Sequence, residues 1–342
     1  MNDDQRLIAD TTERMLEAHC TNQLIDQAEK GVYPTKLWEL LELNGLTSLG
    51  VDTSLGGGGG SFGDALVVLR QAGRFAVPLP LAETLIATQV LGECGIQVQK
   101  GAALVVGAEP GSSGDSLTWT ARAAAFGRHC DTVYFFDEQS PDQLHRFSQR
   151  QITLTEGEDL AGCARDDLRV KAVDAEIEVI KAGSFDLARL KLFGAATRAV
   201  MMAGALEAAL EATVGYALER KQFGKPIGKF QAIQQQLAVF STQVAASTRA
   251  AETLMVSEEL LEVDVAIAKA RIGEAAGIGA EIAHQVFGAI GYTKEHGLNH
   301  LTRRLWVWRD EYGHEGFWQA HLGHLLLANS NASLWHQVTE LG

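Results

Sequence analysis

The sequence predicts a mainly helical protein with a β domain set into its middle, and three observations carry that prediction. Apolar residues recur at helical spacing up to about residue 98 and again after Ser184. Between these regions short apolar or alternating stretches are separated by Gly, Ser and Asp clusters. The segments after Ser184 are long and rich in Ala, as bundle helices are. The expected division is an N-terminal helical domain over 1–98, a reduced β domain over 99–183 and a C-terminal helical bundle over 184–342.

In the first region "DDQRLIADTTERMLEAH" reads as a helix, "PTKLWELLELNGL" as a second with Pro34 suited to its start, and "DALVVLRQAGRF" as a third after a glycine run. The strands of the middle region are expected in "AALVVGA", "DTVYFFDE", "RQITLTE" and "DLRVKAVDAEIEVI". In the last region Met202, Leu206, Leu210 and Val214 recur every fourth residue. Ile233, Leu237, Phe240 and Val244 mark a second long helix, and Ile278, Ile282 and Val286 a third. These faces can bury against one another or against a neighbouring subunit.

Composition narrows the function. With 46% apolar and 21% charged residues the chain is of ordinary globular type. Forty-three acidic against 29 basic residues give a formal charge of −14, which repels nucleic acid and anionic membrane surfaces. Cys20, Cys94, Cys130 and Cys163 lie far apart with no CxxC pair, so buried thiols of a reducing compartment are expected. The N-terminus lacks a signal-peptide layout and no apolar run is long enough to span a bilayer, so the expected location is cytoplasmic, without membrane insertion.

Two motifs suggest sites that their context does not support. Gly58, Gly60 and Gly63 form a GxGxxG, but a helix precedes it where a dinucleotide fold needs a strand, so a surface loop is expected. His296 and His300 are four apart and His321 and His324 three apart, a ligand-like spacing. No HExxH accompanies them, and packing or surface histidines are expected. Trp306, Trp308 and Trp318 are expected as core or interface anchors.

The segment "ALERKQFGKPIGKFQAIQQQLA" at 217–238 sets two basic pairs, a Phe-Gly, a Pro and a Gly between two long apolar-periodic segments. It resembles the signature of the flavin-dependent acyl-CoA dehydrogenases. So does "AHQVFGAIGYTKEHGLNHLTRR" at 283–304, which is similar to that family's Q-x-x-G-G-x-G-[YF] segment and the basic residues after it. The resemblance implies a helical domain, a β domain and a C-terminal four-helix bundle. It implies that Arg220 meets the FAD pyrophosphate, Phe223 packs on the flavin, and Gln231 hydrogen-bonds it. By the same resemblance Gln285, Gly288 and Ala289 receive the nucleotide end of FAD, with Ala289 in place of the usual second Gly.

The family reaction removes an α-proton of an acyl-CoA with a Glu while the β-hydrogen passes as hydride to the flavin. The two positions at which the family places that Glu fall on Gly194 and Tyr312. Glu311 and Glu315 are close by in sequence and are the candidate bases of a self-sufficient enzyme. The family's E-G-T continuation is absent, since Phe317 follows Gly316. In the middle region "GAEPGSSGDSLTWTA" is at most a remnant of the T-E-P…G-S-D stretch that holds the flavin ring, and the G-x-K-x-[WY]-I-T strand has no counterpart.

The chain therefore keeps the elements that, by resemblance, serve a neighbour's FAD and lacks those that would serve its own. This resembles the smaller, non-catalytic subunit of heteromeric α2β2 acyl-CoA dehydrogenases that oxidise steroid side-chain CoA thioesters. The implied partners are a catalytic acyl-CoA dehydrogenase chain, a bulky acyl-CoA substrate and an electron-transfer flavoprotein. The competing expectations are a homo-oligomeric dehydrogenase using Glu311 or Glu315, and a flavin-free assembly protein.

Overall fold

In the computed structural model residues 1–113, 116–181, 183–293 and 296–328 are described. Five helices come first: α1 (Asp3–His19), α2 (Asn22–Ala28), α3 (Thr35–Leu43), α4 (Phe62–Arg74) and α5 (Leu81–Glu93). Eight strands follow: β1 (Ala103–Gly107), β2 (Glu109–Ser113), β3 (Ser116–Ala125), β4 (Thr132–Phe136), β5 (Gln143–Ser148), β6 (Thr153–Thr155), β7 (Arg165–Lys171) and β8 (Glu176–Val179). The chain then becomes helical again through α6 (Leu187–Glu219), α7 (Gln231–Val256), α8 (Glu262–Phe287), α9 (Leu298–Asp310) and α10 (Glu315–Ala328). A small hairpin, β9 (Lys221–Gln222) and β10 (Lys225–Pro226), joins α6 to α7. The mainly α class with a β domain in the middle is the one the sequence predicts. No described helix is long and apolar enough to cross a membrane.

Two compact units form. The first comprises Met1–Asn22, Leu66–Val77 and the described residues from Ala195; the second comprises Gln23–Ala65 and Pro78–Gly194. In the first unit α1 opens with a capping box, in which Asn2 Oδ1 accepts from Gln5 N and Gln5 Oε1 accepts from Asn2 N. Gln5 Nε2 also donates to Met255 O at 2.7 Å, so one side chain starts α1 and satisfies a carbonyl in the last turn of α7.

Two glycines set the crossing of α4 and α6. A Cβ at Gly73 would fall 2.0 Å from Met201 O, and one at Gly204 would fall 2.0 Å from Arg70 O. Backbones can approach so closely only where both side chains are absent. Arg70 and Arg74, one turn apart, then reach Glu207 and Glu211, also one turn apart, and Arg74 grips Glu211 through both terminal nitrogens at 3.1 and 2.6 Å.

Of the three α8 residues that the spacing marks, Val286 is buried and Ile282 half-buried, but the rest of the buried stripe differs. Ile278 is 38% exposed, whereas Ala268, Ile272, Ala275, Ala276, Ala280 and Ala283 are buried. Small residues win because neighbouring side chains need the room: a Cβ at Gly279 would meet Phe240 Cε2 at 2.5 Å and Leu206 Cδ2 at 2.8 Å.

In the second unit the glycine run is a loop leading into α4, with the nearest elements on either side helical. Gly58 N donates to Ser48 O, Gly59 N to Val51 O, and Asp64 Oδ2 accepts from Ser61 N to start the helix. Helix α5 is buried nearly all round, consistent with its lack of a polar face.

The strands form two four-stranded sheets, of order β1-β4-β5-β8 and β2-β3-β7-β6, antiparallel except for the β1–β4 pair. Trp119, Phe135, Phe147 and His145 cluster, with Phe135 and Phe147 edge to face at 5.5 Å and His145 edge-on to Trp119 at 4.4 Å. Arg128 is pinned on buried Asp166, with Nη2 to Oδ1 at 2.6 Å and Nε to Oδ1 at 3.0 Å. The cysteines are free thiols, Cys20 and Cys130 buried, and burial raises the pKa of Cys20 to about 12.

His145 is an uncompensated cost in this core. Neither ring nitrogen has a hydrogen-bond partner among the described residues, and burial lowers the pKa of the ring. A depressed folded pKa means that the unfolded chain takes up the proton first. The cost of the buried ring is thus least above the ordinary histidine pKa and grows as pH falls below it. His145→Leu is expected to stabilise the chain by about 1–2 kcal/mol at neutral pH, because it removes two unsatisfied polar atoms from an apolar cluster. The gain should widen on acidification. Denaturant unfolding of both proteins across that pH range checks this, and an unchanged or lowered midpoint refutes it.

Candidate functional site

The stretch singled out in the sequence forms the hairpin between α6 and α7. Its strands pair Lys225 with Gln222 and Pro226 with Lys221, leaving Phe223 and Gly224 as a two-residue turn. Both turn residues have positive φ, 51° and 79°, the requirement of the tight turn whose twist matches a hairpin. Glycine meets it freely; Phe223 adopts it against the preference of a side-chain-bearing residue while standing 92% exposed.

Behind the tip Phe230 lies edge-on to Phe223 at 6.1 Å and carries Lys225 Nζ over its ring at 4.4 Å. Arg220 is exposed, and its guanidinium makes no ion pair or hydrogen bond among the described residues. Lys221, Lys225 and Lys229 share the hairpin and its flank. Gln231 is the exposed first residue of α7, a 26-residue helix with no acid in its first turn. Such a helix start presents unpaired N–H groups and a partial positive charge.

The second locus is a cleft of about 1160 Å3 along α8 and the turn after it, lined by Glu281, His284, Gln285, Gly288, Ala289 and Tyr292, with Trp306, Arg309 and Glu315 on its other flank. At Gly288 φ is 65° and ψ −147°, a conformation essentially confined to glycine, and there the helix stops. A Cβ at this position would meet no atom within 4 Å, so backbone conformation and not crowding demands the glycine. Tyr292 stacks on His284 at 4.3 Å. His284 Nε2 lies 2.9 Å from Thr302 Oγ1, and burial lowers its pKa.

An aromatic junction brings the two loci to one end of the helices. Tyr216, one turn before Arg220, stacks on Phe287, the residue before Gly288, with centroids 4.3 Å apart, and His296 packs edge-on against both. Of the six residues expected at FAD, Arg220 and Phe223 follow the end of α6, Gly288 and Ala289 follow the end of α8, Gln285 lies in the last turn of α8 and Gln231 opens α7.

The predicted base positions look different. Gly194 is buried within α6, and Tyr312 lies in the turn between α9 and α10 with φ 56°. Every part of that turn is held. Glu311 accepts from Arg198 Nε, and the Arg198 guanidinium sits over the Tyr312 ring at 5.6 Å. Trp318 Nε1 donates to Tyr312 O at 3.1 Å. Glu315 is gripped by Arg309 through Nε and Nη2, which lowers its pKa to about 2. A carboxylate so held is a weak proton acceptor in a fixed position.

One contributor to this region was not legible in the sequence. Lys269, fully buried on α8, donates to Trp308 O at 3.1 Å, Arg309 O at 2.7 Å and Gly313 O at 2.8 Å. In the sequence it is a lone Lys in an Ala-rich helix, and only the fold brings three carbonyls to it.

The histidine spacing does not bring its pairs together. His296 belongs to the aromatic junction while His300 is 1% exposed; His321 Nε2 meets Glu262 Oε1 at 2.7 Å while His324 is exposed. Trp308 and Trp318 are buried, and Trp306 stands 41% exposed on the cleft wall with Arg309 over its ring at 5.3 Å.

The acyl-CoA dehydrogenase C-terminal domain pattern matches residues 186–310, and the N-terminal domain pattern of the same family matches residues 2–106. The acyl-CoA dehydrogenase IpdE2 of Mycolicibacterium smegmatis is 27% identical over 308 residues, spanning 89% of this chain and 93% of that one. Among solved structures, the ChsE4–ChsE5 complex of Mycobacterium tuberculosis superposes with a TM-score of 0.82 at 20% identity, over 97% of this chain and 99% of the other. A variant of the Tcur3481–Tcur3483 steroid ACAD gives 0.83 at 19% identity, over 96% and 99%. The two domain patterns, in order along a chain with this fold, establish that the protein belongs to the acyl-CoA dehydrogenase family.

Proposed function

We propose that this chain is a subunit of an FAD-dependent acyl-CoA dehydrogenase and completes the FAD site of a catalytic partner chain. The observation that carries the reading is a contrast within one chain. The hairpin presents a guanidinium without an ion pair or hydrogen bond among the described residues and a strained, exposed aromatic, whereas the candidate bases Glu311 and Glu315 are each locked to an arginine. A chain that did its own proton abstraction would need the reverse arrangement at the second place.

The residues fit the cofactor. FAD supplies the hydride acceptor when bound; the chain supplies the grip. Arg220 offers a planar fork for the pyrophosphate, and the neighbouring lysines and the start of α7 add positive potential for the same anion. Phe223 would pack on the flavin, and Gln231 would hydrogen-bond it. Gln285, Gly288 and Ala289 take the nucleotide end in the cleft. The isolated cost of Phe223's backbone is explained if its ring is buried only in the assembly.

A partner chain and a bulky substrate are supported by the relatives' printed descriptions, an acyl-CoA dehydrogenase, a two-chain complex and a steroid ACAD. The reaction is then α,β-dehydrogenation of a large, steroid-derived acyl-CoA, with the base supplied by the partner and the electrons leaving to an electron-transfer flavoprotein. The self-sufficient reading through Glu311 or Glu315 is opposed by the arginine clamps on both.

Arg220→Ala is expected to weaken FAD binding by the complex with its catalytic partner about 10-fold or more, the loss of a charge-assisted pair. Absorbance of the purified complex measures it, and undiminished flavin content favours a flavin-free assembly role. Phe223→Asn has two expected effects: the lone chain gains about 1 kcal/mol by relief of the left-handed strain, while the complex holds FAD less tightly. A stabilised chain with unaltered FAD affinity removes Phe223 from the site. Glu311→Gln is expected to leave turnover per folded complex within about twofold of the parent, because Glu311 does not supply the base; loss of turnover restores it as a candidate.

A further inference from the structure

Lys269 plays no part in the chemistry above, yet its burial is expensive. It begins a row along α8, spaced by four residues, that continues through Gly273, Gly277, Glu281 and Gln285. Its three ammonium protons go to Trp308 O, Arg309 O and Gly313 O, the carbonyls that end α9 and the turn beyond it. Carbonyls at a helix end lack partners within the helix and otherwise turn to water. The next two residues of the row make space for the ion pair that follows. A Cβ at Gly273 would lie 3.2 Å from Glu315 Cβ, and one at Gly277 would lie 3.3 Å from Arg309 Nη1. The last two residues of the row, with Arg309 and Glu315, line the same cleft.

We propose that Lys269 is a positioning residue for the cleft: its ammonium fixes the α9–α10 turn and thereby sets the wall made by Arg309 and Glu315, holding the cleft in shape for the nucleotide end of FAD. The occupant rests on the function proposed above; the positioning does not. A hydrophobic residue at this buried place would spare the desolvation cost and would leave three carbonyls without donors, so the charge is retained for the turn it holds.

The charged groups facing the ammonium are Arg198 from α6, Arg309 and Asp310 from α9, and Glu315 from α10. Burial, then repulsion by Arg198, lowers the pKa of Lys269 to about 7, against partial compensation by Glu315 and Asp310. The folded pKa lies below the unfolded one, so from about pH 7 to the ordinary lysine pKa the unfolded chain holds more protons, and this group's contribution to global stability rises with pH. Over the same window the neutral amine offers two donors to three carbonyls and the turn loosens. Stability and cleft order therefore move in opposite directions, which a merely stabilising lysine would not produce.

The test uses Lys269→Met and Lys269→Arg in the full-length chain. Hydrogen exchange of residues 305–318, compared at one pH near 6, is expected to quicken about 10-fold or more in Lys269→Met, as for loss of hydrogen bonds to a charged donor. Exchange in the β-sheets should not change. In the complex with the partner chain, the FAD dissociation constant of the parent should rise as pH increases through about 7, that of Lys269→Arg should stay flat, since arginine keeps its proton, and that of Lys269→Met should be high throughout.

Unchanged exchange at 305–318 in Lys269→Met overturns the proposal, whatever happens to FAD. A complex that binds no FAD in any form refutes the proposed function, while the exchange result still decides the role of Lys269. If Lys269→Met does not fold, Lys269→Arg decides: a pH dependence of exchange at 305–318 identical to the parent's overturns the claim.

Discussion

The buried cations of the helical unit are the constraint on which its architecture turns. Arg198, Lys269 and Arg304 lie almost wholly out of solvent, and a charge there is tolerable only where acceptors surround it. The turn between α9 and α10 supplies two of them with theirs: Glu311 for Arg198, and three main-chain carbonyls for Lys269. Arg304 reaches back to His300 O within α9. Satisfying these charges dictates the path of residues 308–315, including the left-handed backbone at Tyr312 and Gly313. The same demand takes up Glu311, which is held by the buried Arg198.

The other end of the helices is organised by apolar contact. Gly73 and Gly204 let α4 and α6 touch through their backbones, and the arginine and glutamate pairs beside that crossing fix the direction in which α6 runs. The far end of α6 meets the far end of α8 through Tyr216 and Phe287. Each helix then ends in a glycine-dependent reversal, at Gly224 and at Gly288. Two exposed loops widely separated in sequence are so presented together by a rigid support, the arrangement that a ligand lying across both requires.

How much of this is legible in the sequence depends on the kind of interaction. Helix α1 and the long bundle helices follow from periodicity, because burying one stripe of a helix leaves a mark every three or four residues. The break at 219–231 is legible as a segment between two long helices, and the resemblance gives Arg220, Phe223 and Gln231 their expected roles; that it closes as a hairpin with Phe223 in the left-handed region is not legible. The face of α8 is legible only in part: Val286 is buried as its spacing implies, but most of the buried stripe is Ala and Gly, which scarcely register against the exposed Ile278 on a hydrophobic scale. The grip on Glu311 and the seating of Lys269 are not legible at all. Arg198 is 113 residues from Glu311 and Lys269 is 44 residues from Gly313, and nothing local marks either as a partner. Long-range polar pairing leaves no periodic trace.

Charge distribution gives the assembly a direction. The chain carries −14 overall, yet Arg220, Lys221, Lys225 and Lys229 crowd into ten residues at an exposed tip. A field that is negative over the body and positive at one hairpin orients an approaching anion toward that hairpin and turns it from the rest. Were the tip only a solvated connection, the cheapest sequence would place Asn-Gly in the turn and scatter the lysines, because a Phe in the left-handed region costs about 1 kcal/mol and like charges repel. Among the described residues the edge contact of Phe230 with Phe223 and the seat of Lys225 over the Phe230 ring offset these costs only in part. An anion bearing an aromatic ring system at the tip, as proposed above, would offset both at once.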